Sequence, residues 1–222
     1  MSERIQLPLG FTPLSAMSEA DLVPTDANQE ALAWLQKWPE WPAHGLVLYG
    51  PKGSGKTHLA HIWAQRAGAV FIAEPNLEAG DRLVLEDAER LMGNAAAEEM
   101  LFHLLNQTKA NGGSLLLTAQ HAPVRWNVQL PDLRSRLLAL PTAHIDQPDD
   151  AALTAVIGKL FADRQIRVTA DVVDYLVRRI ERSFASAHAA VAACDAAALA
   201  TGKAITLPLV REVLARGSEI VT

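Results

Sequence analysis

The stretch Gly50-Pro-Lys-Gly-Ser-Gly-Lys-Thr57 constrains the fold more than any other part of this 222-residue chain. It fits the pattern G-x-x-x-x-G-K-[ST], and its flanks fit as well. Gly45-Leu-Val-Leu-Tyr49 before it reads as a buried strand, and Leu59, Ala60, Ile62 and Trp63 after it suit a helix from Thr57 to Ala67. A strand, a glycine turn and a helix in that order make a phosphate cradle. Gly50, Gly53 and Gly55 let backbone amides turn inward with no side chain in the way, and the helix N-terminus adds donors and a favourable dipole. Lys56 is placed to reach terminal phosphates, and the Thr57 hydroxyl is suited to Mg²⁺. Nucleotide contacts are expected from Pro51, Lys52, Gly53, Ser54, Gly55, Lys56, Thr57 and His58, with ATP or ADP as the ligand.

Such a loop works with acids on a neighbouring strand, and Leu83-Val-Leu-Glu86-Asp87 supplies them: one carboxylate for the Mg²⁺ shell, the other to orient or deprotonate water. Many ATPases of this kind have Asp first and Glu second. The reversed order here displaces both carboxylates by about an ångström, a shift able to cost about 10²-fold in rate. Nucleotide binding is therefore the firmer expectation, and fast turnover the weaker one.

Further strand-like runs lie at Ala69–Ala73, Asp81–Leu85, Ser114–Thr118 and Ala143–Ile145, with helices expected at about Ala27–Lys37, capped by Asp26, and at Ala96–Thr108. Short apolar strands alternating with helices predict an α/β fold with a parallel sheet covered on both faces. After Pro148 the pattern becomes helical, with helices expected at 149–163, 170–181, 184–200 and 207–215 and a stop at Gly202. The expected organisation is a tail over 1–20, a nucleotide-binding α/β domain over 21–147 and a small all-helical domain over 148–222.

Half of the residues are hydrophobic, enough for a real core, and the net charge of −5 argues against non-specific nucleic-acid binding by the whole surface. Cys194 is the only cysteine, so no internal disulfide is expected. The sequence predicts no signal peptide and no membrane-spanning stretch, which makes a cytoplasmic protein without membrane contact the default. His58 and His61 have no third partner at metal-ligand spacing, so packing or surface roles are expected of them. Arg178, Arg179 and Arg182 form a basic helix face.

Taken together, these motifs resemble the AAA+ proteins related to DnaA, and among them the Hda family. Gly50–Thr57 resembles the Walker A loop, Leu83–Asp87 resembles Walker B, and Ser114–Gln120, with Thr118, stands where sensor 1 ends. Leu133-Arg-Ser-Arg136-Leu is similar to the segment whose last arginine is the family's arginine finger. Thr201–Thr206 and Val210–Leu214 resemble the end of the lid domain. Leu22 and Val23 stand where such proteins contact adenine. The resemblance implies an adaptor that binds the sliding clamp (the beta subunit of DNA polymerase III) and promotes hydrolysis of DnaA-bound ATP, with DNA met through the clamp and self-association left open. Ala185 falls where the sensor 2 arginine is expected, with Arg182 one turn earlier as a substitute, and Gln120 replaces an acid or smaller polar residue. These departures bear on the chain's own ATPase. They leave open a self-sufficient ATPase acting as a remodeller or helicase loader, and a scaffold that binds nucleotide for stability.

The tail segment Gln6-Leu-Pro-Leu-Gly-Phe11 fits the family's clamp-binding form Gln-Leu-x-Leu-x-Leu/Phe. In an extended chain Leu7, Leu9 and Phe11 share one face, and the Gln6 amide both donates and accepts. Folding back as an edge strand on its own domain is the alternative.

Overall fold

The computed structural model describes residues 22–78 and 80–218. The clamp-type peptide Gln6–Phe11 lies outside them. Five parallel strands form one sheet in the order β2-β3-β4-β1-β5: β1 (Gly45–Tyr49), β2 (Val70–Ile72), β3 (Arg82–Leu85), β4 (Ser114–Ala119) and β5 (Thr142–His144). The central strands β1, β3 and β4 are short and mainly apolar because both faces are covered. Leu46, Leu48, Val84 and Leu116 point into one layer, with α1 (Gln29–Gln36) and α2 (Lys56–Ala67). Val47, Leu83, Leu85, Leu115 and Leu117 point into the other, with α3 (Ala95–Ala110) and α4 (Pro131–Leu138). Each of these side chains is at most 1% exposed, and burial of each stabilises the sheet by about 1.5–3 kcal/mol. Trp63 of α2, stacked on Trp41 at 4.9 Å between ring centres, anchors the first layer.

A second core joins α5 (Asp150–Asp163), α6 (Ala170–Val177), α7 (Phe184–Thr201) and α8 (Leu207–Ser218). Their starts follow capping chemistry. Asp149 accepts from the Ala152 amide at 2.7 Å and Ser183 from the Ser186 amide at 3.0 Å, while Gly202 closes α7 in the left-handed region.

Four expectations need correction. The cap position of α1 is Asn28, not Asp26. Its side chain turns away from the helix, accepting from Thr25 N at 2.9 Å and donating to Val23 O at 3.0 Å, so it ties down the chain beside Leu22 and Val23. α6 ends at Val177 rather than 181, because Arg178–Arg182 form the turn that leads into the Ser183 cap. Helix α4 was not expected: eight residues with two buried leucines give too short a pattern for periodicity to register. Finally, α7, at 18 residues and mean hydropathy 1.3, is long and apolar enough to cross a membrane by length and composition. Its hydropathy comes from alanine, and its Ala187, Ala190, Val191 and Cys194 pack inside the helical core. Burial there pushes the Cys194 thiol up to about 11, where it is inert as a nucleophile.

Candidate functional site

The carboxyl ends of β1, β3 and β4 meet at one edge of the sheet, the edge where open parallel sheets bind ligands. The Gly50–Gly55 turn leaves β1 there and enters α2. Its glycines are required. A Cβ on Gly50 would sit 2.1 Å from the Ile145 carbonyl oxygen, and one on Gly53 would sit 2.5 Å from Ser183 Cβ, with φ of +78 at Gly53. Lys56 Nζ donates to the carbonyls of Gly50 and Pro51, both at 2.8 Å. Burial pulls the Lys56 pKa below the ordinary lysine value, against the opposing pull of Asp87, Glu89 and Glu86.

The two acids separate. Thr57 Oγ1 donates to Glu86 Oε1 at 2.6 Å, so the acid that leaves β3 first reaches the hydroxyl of the loop. Asp87 adopts a left-handed backbone (φ 48), and its carboxylate lies 3.5 Å from Arg90. Its N–H donates to Thr118 Oγ1 at 3.0 Å, so buried Thr118 of β4 holds the acidic turn in place. Glu89 was missed by sequence reasoning. Its carboxylate accepts from the amides of Gln120 and His121 at 3.0 and 3.1 Å, joining this turn to the end of β4. Its position three residues after Glu86, on the same acidic run, was the available signal.

The helical core closes over the cradle. Phe184 N donates to the Gly53 carbonyl at 3.1 Å, so the first residue of α7 is bonded to the loop. Leu22, Val23, Ser54 and His58 gather in a small cavity under Phe184, and the Ser54 hydroxyl is wholly buried with no hydrogen-bond partner among the described residues. A larger cavity of about 540 Å³ runs from Gly53, Gly55, Lys56, Thr57 and His58 along Ala185, Ala189 and Ala192 of α7 to Arg164. The His58 ring meets His188 of α7 edge-on at 6.2 Å, and His61 stacks on Phe71 at 4.2 Å.

Ala185 thus faces the loop, whereas Arg182 does not line the cavity. Arg182 pairs with Asp150 at 2.8 Å, with both side chains exposed. The substitution of Arg182 for a sensor arginine is therefore not realised, because the turn after α6 breaks the helical spacing on which it depends. Besides Lys56, the cation that lines the cavity is Arg164, at the end of α5. It donates to Leu160 O at 2.9 Å and lies 3.6 Å from Asp195. Pro51 and Lys52 line a different groove, with Gln120, His121 and Arg125.

Arg136 stands apart from all of this. Leu133 and Leu137 are buried at 0% and 1% exposure and fasten α4 to the sheet, leaving Arg134, Ser135 and Arg136 exposed. Among the described residues no salt bridge involves Arg136.

Known proteins match on both halves. The lid-domain family of Hda matches residues 149–214. Chromosomal replication initiator DnaA of Thermomicrobium roseum is 28% identical over 219 residues, covering 86% of this chain and 47% of that protein. By these matches the chain resembles the DnaA-related AAA+ proteins. An uncharacterized protein of Haemophilus influenzae is 28% identical over 186 residues, covering 76% of this chain and 80% of that protein. The chain spans less than half the length of the DnaA relatives it matches. Its fold is that of domain III of Thermotoga maritima DnaA, with a TM-score of 0.78 at 17% identity over 90% of this chain and 96% of that one. DnaA of Aquifex aeolicus bound to AMPPCP superposes with a TM-score of 0.67 at 16% identity, over 77% of this chain and 62% of that one. The residues of the cradle fit a phosphate group: Gly50 and Gly53 leave no room for a Cβ, the lysine points inward and the threonine is bonded to an acid.

Proposed function

We propose that this chain binds ATP or ADP at Gly50–Thr57 and acts as an Hda-type adaptor, presenting Arg136 to the ATP of DnaA while Gln6–Phe11 holds the sliding clamp. The observation that carries the reading is Arg136 itself, exposed and, among the described residues, without an ion pair, on a helix that two buried leucines fasten to the sheet. A fixed cation brought against a transferring phosphoryl group accelerates hydrolysis by about 10³–10⁵. The cation's site belongs to another molecule, which suits an exposed residue better than a buried one.

The chain's own nucleotide has a different part in this reading. Leu22 and Val23 form one wall of the base pocket. Thr57 and Glu86 are the residues to hold Mg²⁺, which supplies charge neutralisation at the phosphates. Asp87 is the residue to orient water, but it is turned toward Arg90, and Ala185 offers no cation from α7. Slow turnover follows, with the nucleotide holding the lid to the loop. The tail 1–20, the α/β domain 21–147 and the lid 148–222 divide the labour between tether, nucleotide site and cover, in the cytoplasm. The Thr57–Glu86 bond, intact despite the Glu-first order, favours the second reading, a self-sufficient ATPase.

A reconstituted assay separates the two. DnaA loaded with ATP is incubated with this chain, with and without clamp on DNA. Acceleration that requires the clamp, and that Gln6, Leu9 and Phe11 changed to Ala removes, is expected. Equal hydrolysis by the chain alone supports the ATPase reading.

A further inference from the structure

α4 begins without a cap of its own. Its N-cap residue is Leu130, whose side chain offers no acceptor, and Pro131 follows at the first helical position. A helix of eight residues is marginal by itself and takes its place from what it is attached to.

The attachment comes from another helix. Glu98, in the first turn of α3, is 0% exposed and is the only buried carboxylate among the described residues. Its Oε2 accepts from the amides of Leu130 at 2.8 Å and Gln129 at 2.9 Å. Its Oε1 accepts from Gln129 at 3.2 Å and from Gly93 at 2.8 Å. One charge thus draws three backbone donors from two loops. Burying a carboxylate is costly unless such bonds surround it, and charge-assisted bonds are about twice as strong as neutral ones.

We infer that Glu98 is the positioning residue for Arg136: a cap supplied from outside the helix that sets where α4 starts. Arg136 stands six residues after Leu130, about 9 Å further along the axis, so an error at the start is carried to the guanidinium. A misplacement of about 1 Å at a reacting centre costs about 10²-fold. The inference rests on Arg136 acting as proposed above, but the placement of α4 by Glu98 is open to a test of its own.

Glu98→Gln puts an amide donor against backbone donors and removes the charge. Hydrogen exchange of the α4 amides should then quicken about tenfold or more while α2 is unchanged. Stimulation of DnaA hydrolysis should fall about 10²-fold in maximal rate, with nucleotide affinity and the half-saturating concentration of DnaA unchanged. Adding Leu130→Ser, which gives α4 a cap of its own, should recover part of both losses, an outcome that a merely weakened core would not give. If Glu98→Gln does not melt cooperatively, Glu98→Asp, with its charge intact and one methylene fewer, is put through the same measurements. Unchanged α4 exchange in the variant that folds overturns the inference whatever the hydrolysis does. Full stimulation by Arg136→Ala instead overturns the proposed function, and the exchange data still decide the role of Glu98.

Discussion

Lys56 stands in the first turn of α2 with 8% of its surface exposed, its ammonium donating to two carbonyls of the loop it serves. Arg136 stands in the last turn of α4, exposed and free of ion pairs among the described residues. Both are cations suited to phosphate, and both helices are pinned to the same sheet. The difference lies in what completes each. Lys56 has its neighbours folded around it: glycines, acids on β3 and the first residue of α7. Arg136 has a rigid support beneath it and is exposed, with no ion pair among the described residues, and at a helix C-terminus its charge is favoured by the dipole. A site whose partners come from its own chain is built closed, and a group meant for another molecule's site is built open.

The largest test of that contrast is Lys56→Ala. Hydrogen bonds to charged groups contribute about 1.5–3 kcal/mol, so nucleotide affinity should fall about 10- to 100-fold. Arg136→Ala should leave it unchanged, as titration calorimetry with ADP checks. Equal losses from the two would erase the distinction. A smaller effect comes from pH. Burial lowers the Lys56 pKa in the free protein, and a bound phosphate raises it again, so binding takes up a proton as pH climbs past the lowered value. Affinity should therefore decline in the alkaline range, approaching about tenfold per pH unit, and from a lower pH than an ordinary lysine would give. An affinity flat to the ordinary lysine range would mean that Lys56 is not held as described.

The closed site was legible in the sequence because its constraints are local. Gly50, Gly53 and Gly55 occupy backbone conformations or close contacts that exclude side chains, and strands buried on both faces read as apolar runs. The acids after β3 and the α7 start at Phe184 followed from the same punctuation. The open site was legible only through the resemblance of Leu133–Leu137, since α4 itself is too short to show a period. Arg182 pairs with Asp150 from the turn before the Ser183 cap, so it is not one helical turn ahead of Ala185 on α7, and no spacing rule carries across that turn. Arg164 meets Asp195, Glu89 bonds the amides of Gln120 and His121, and Glu98 those of Gln129 and Leu130, each at least 31 residues away in the chain. A lone acid in a helix, such as Glu98, looks in sequence like any solvated one.

The measurement closest to the central claim is single-turnover hydrolysis of DnaA-bound ATP, with clamp-loaded DNA and either the parent chain or Arg136→Ala. The account predicts that the variant melts and binds ADP as the parent does and loses the stimulation by about 10³-fold. Undiminished stimulation by Arg136→Ala would contradict it.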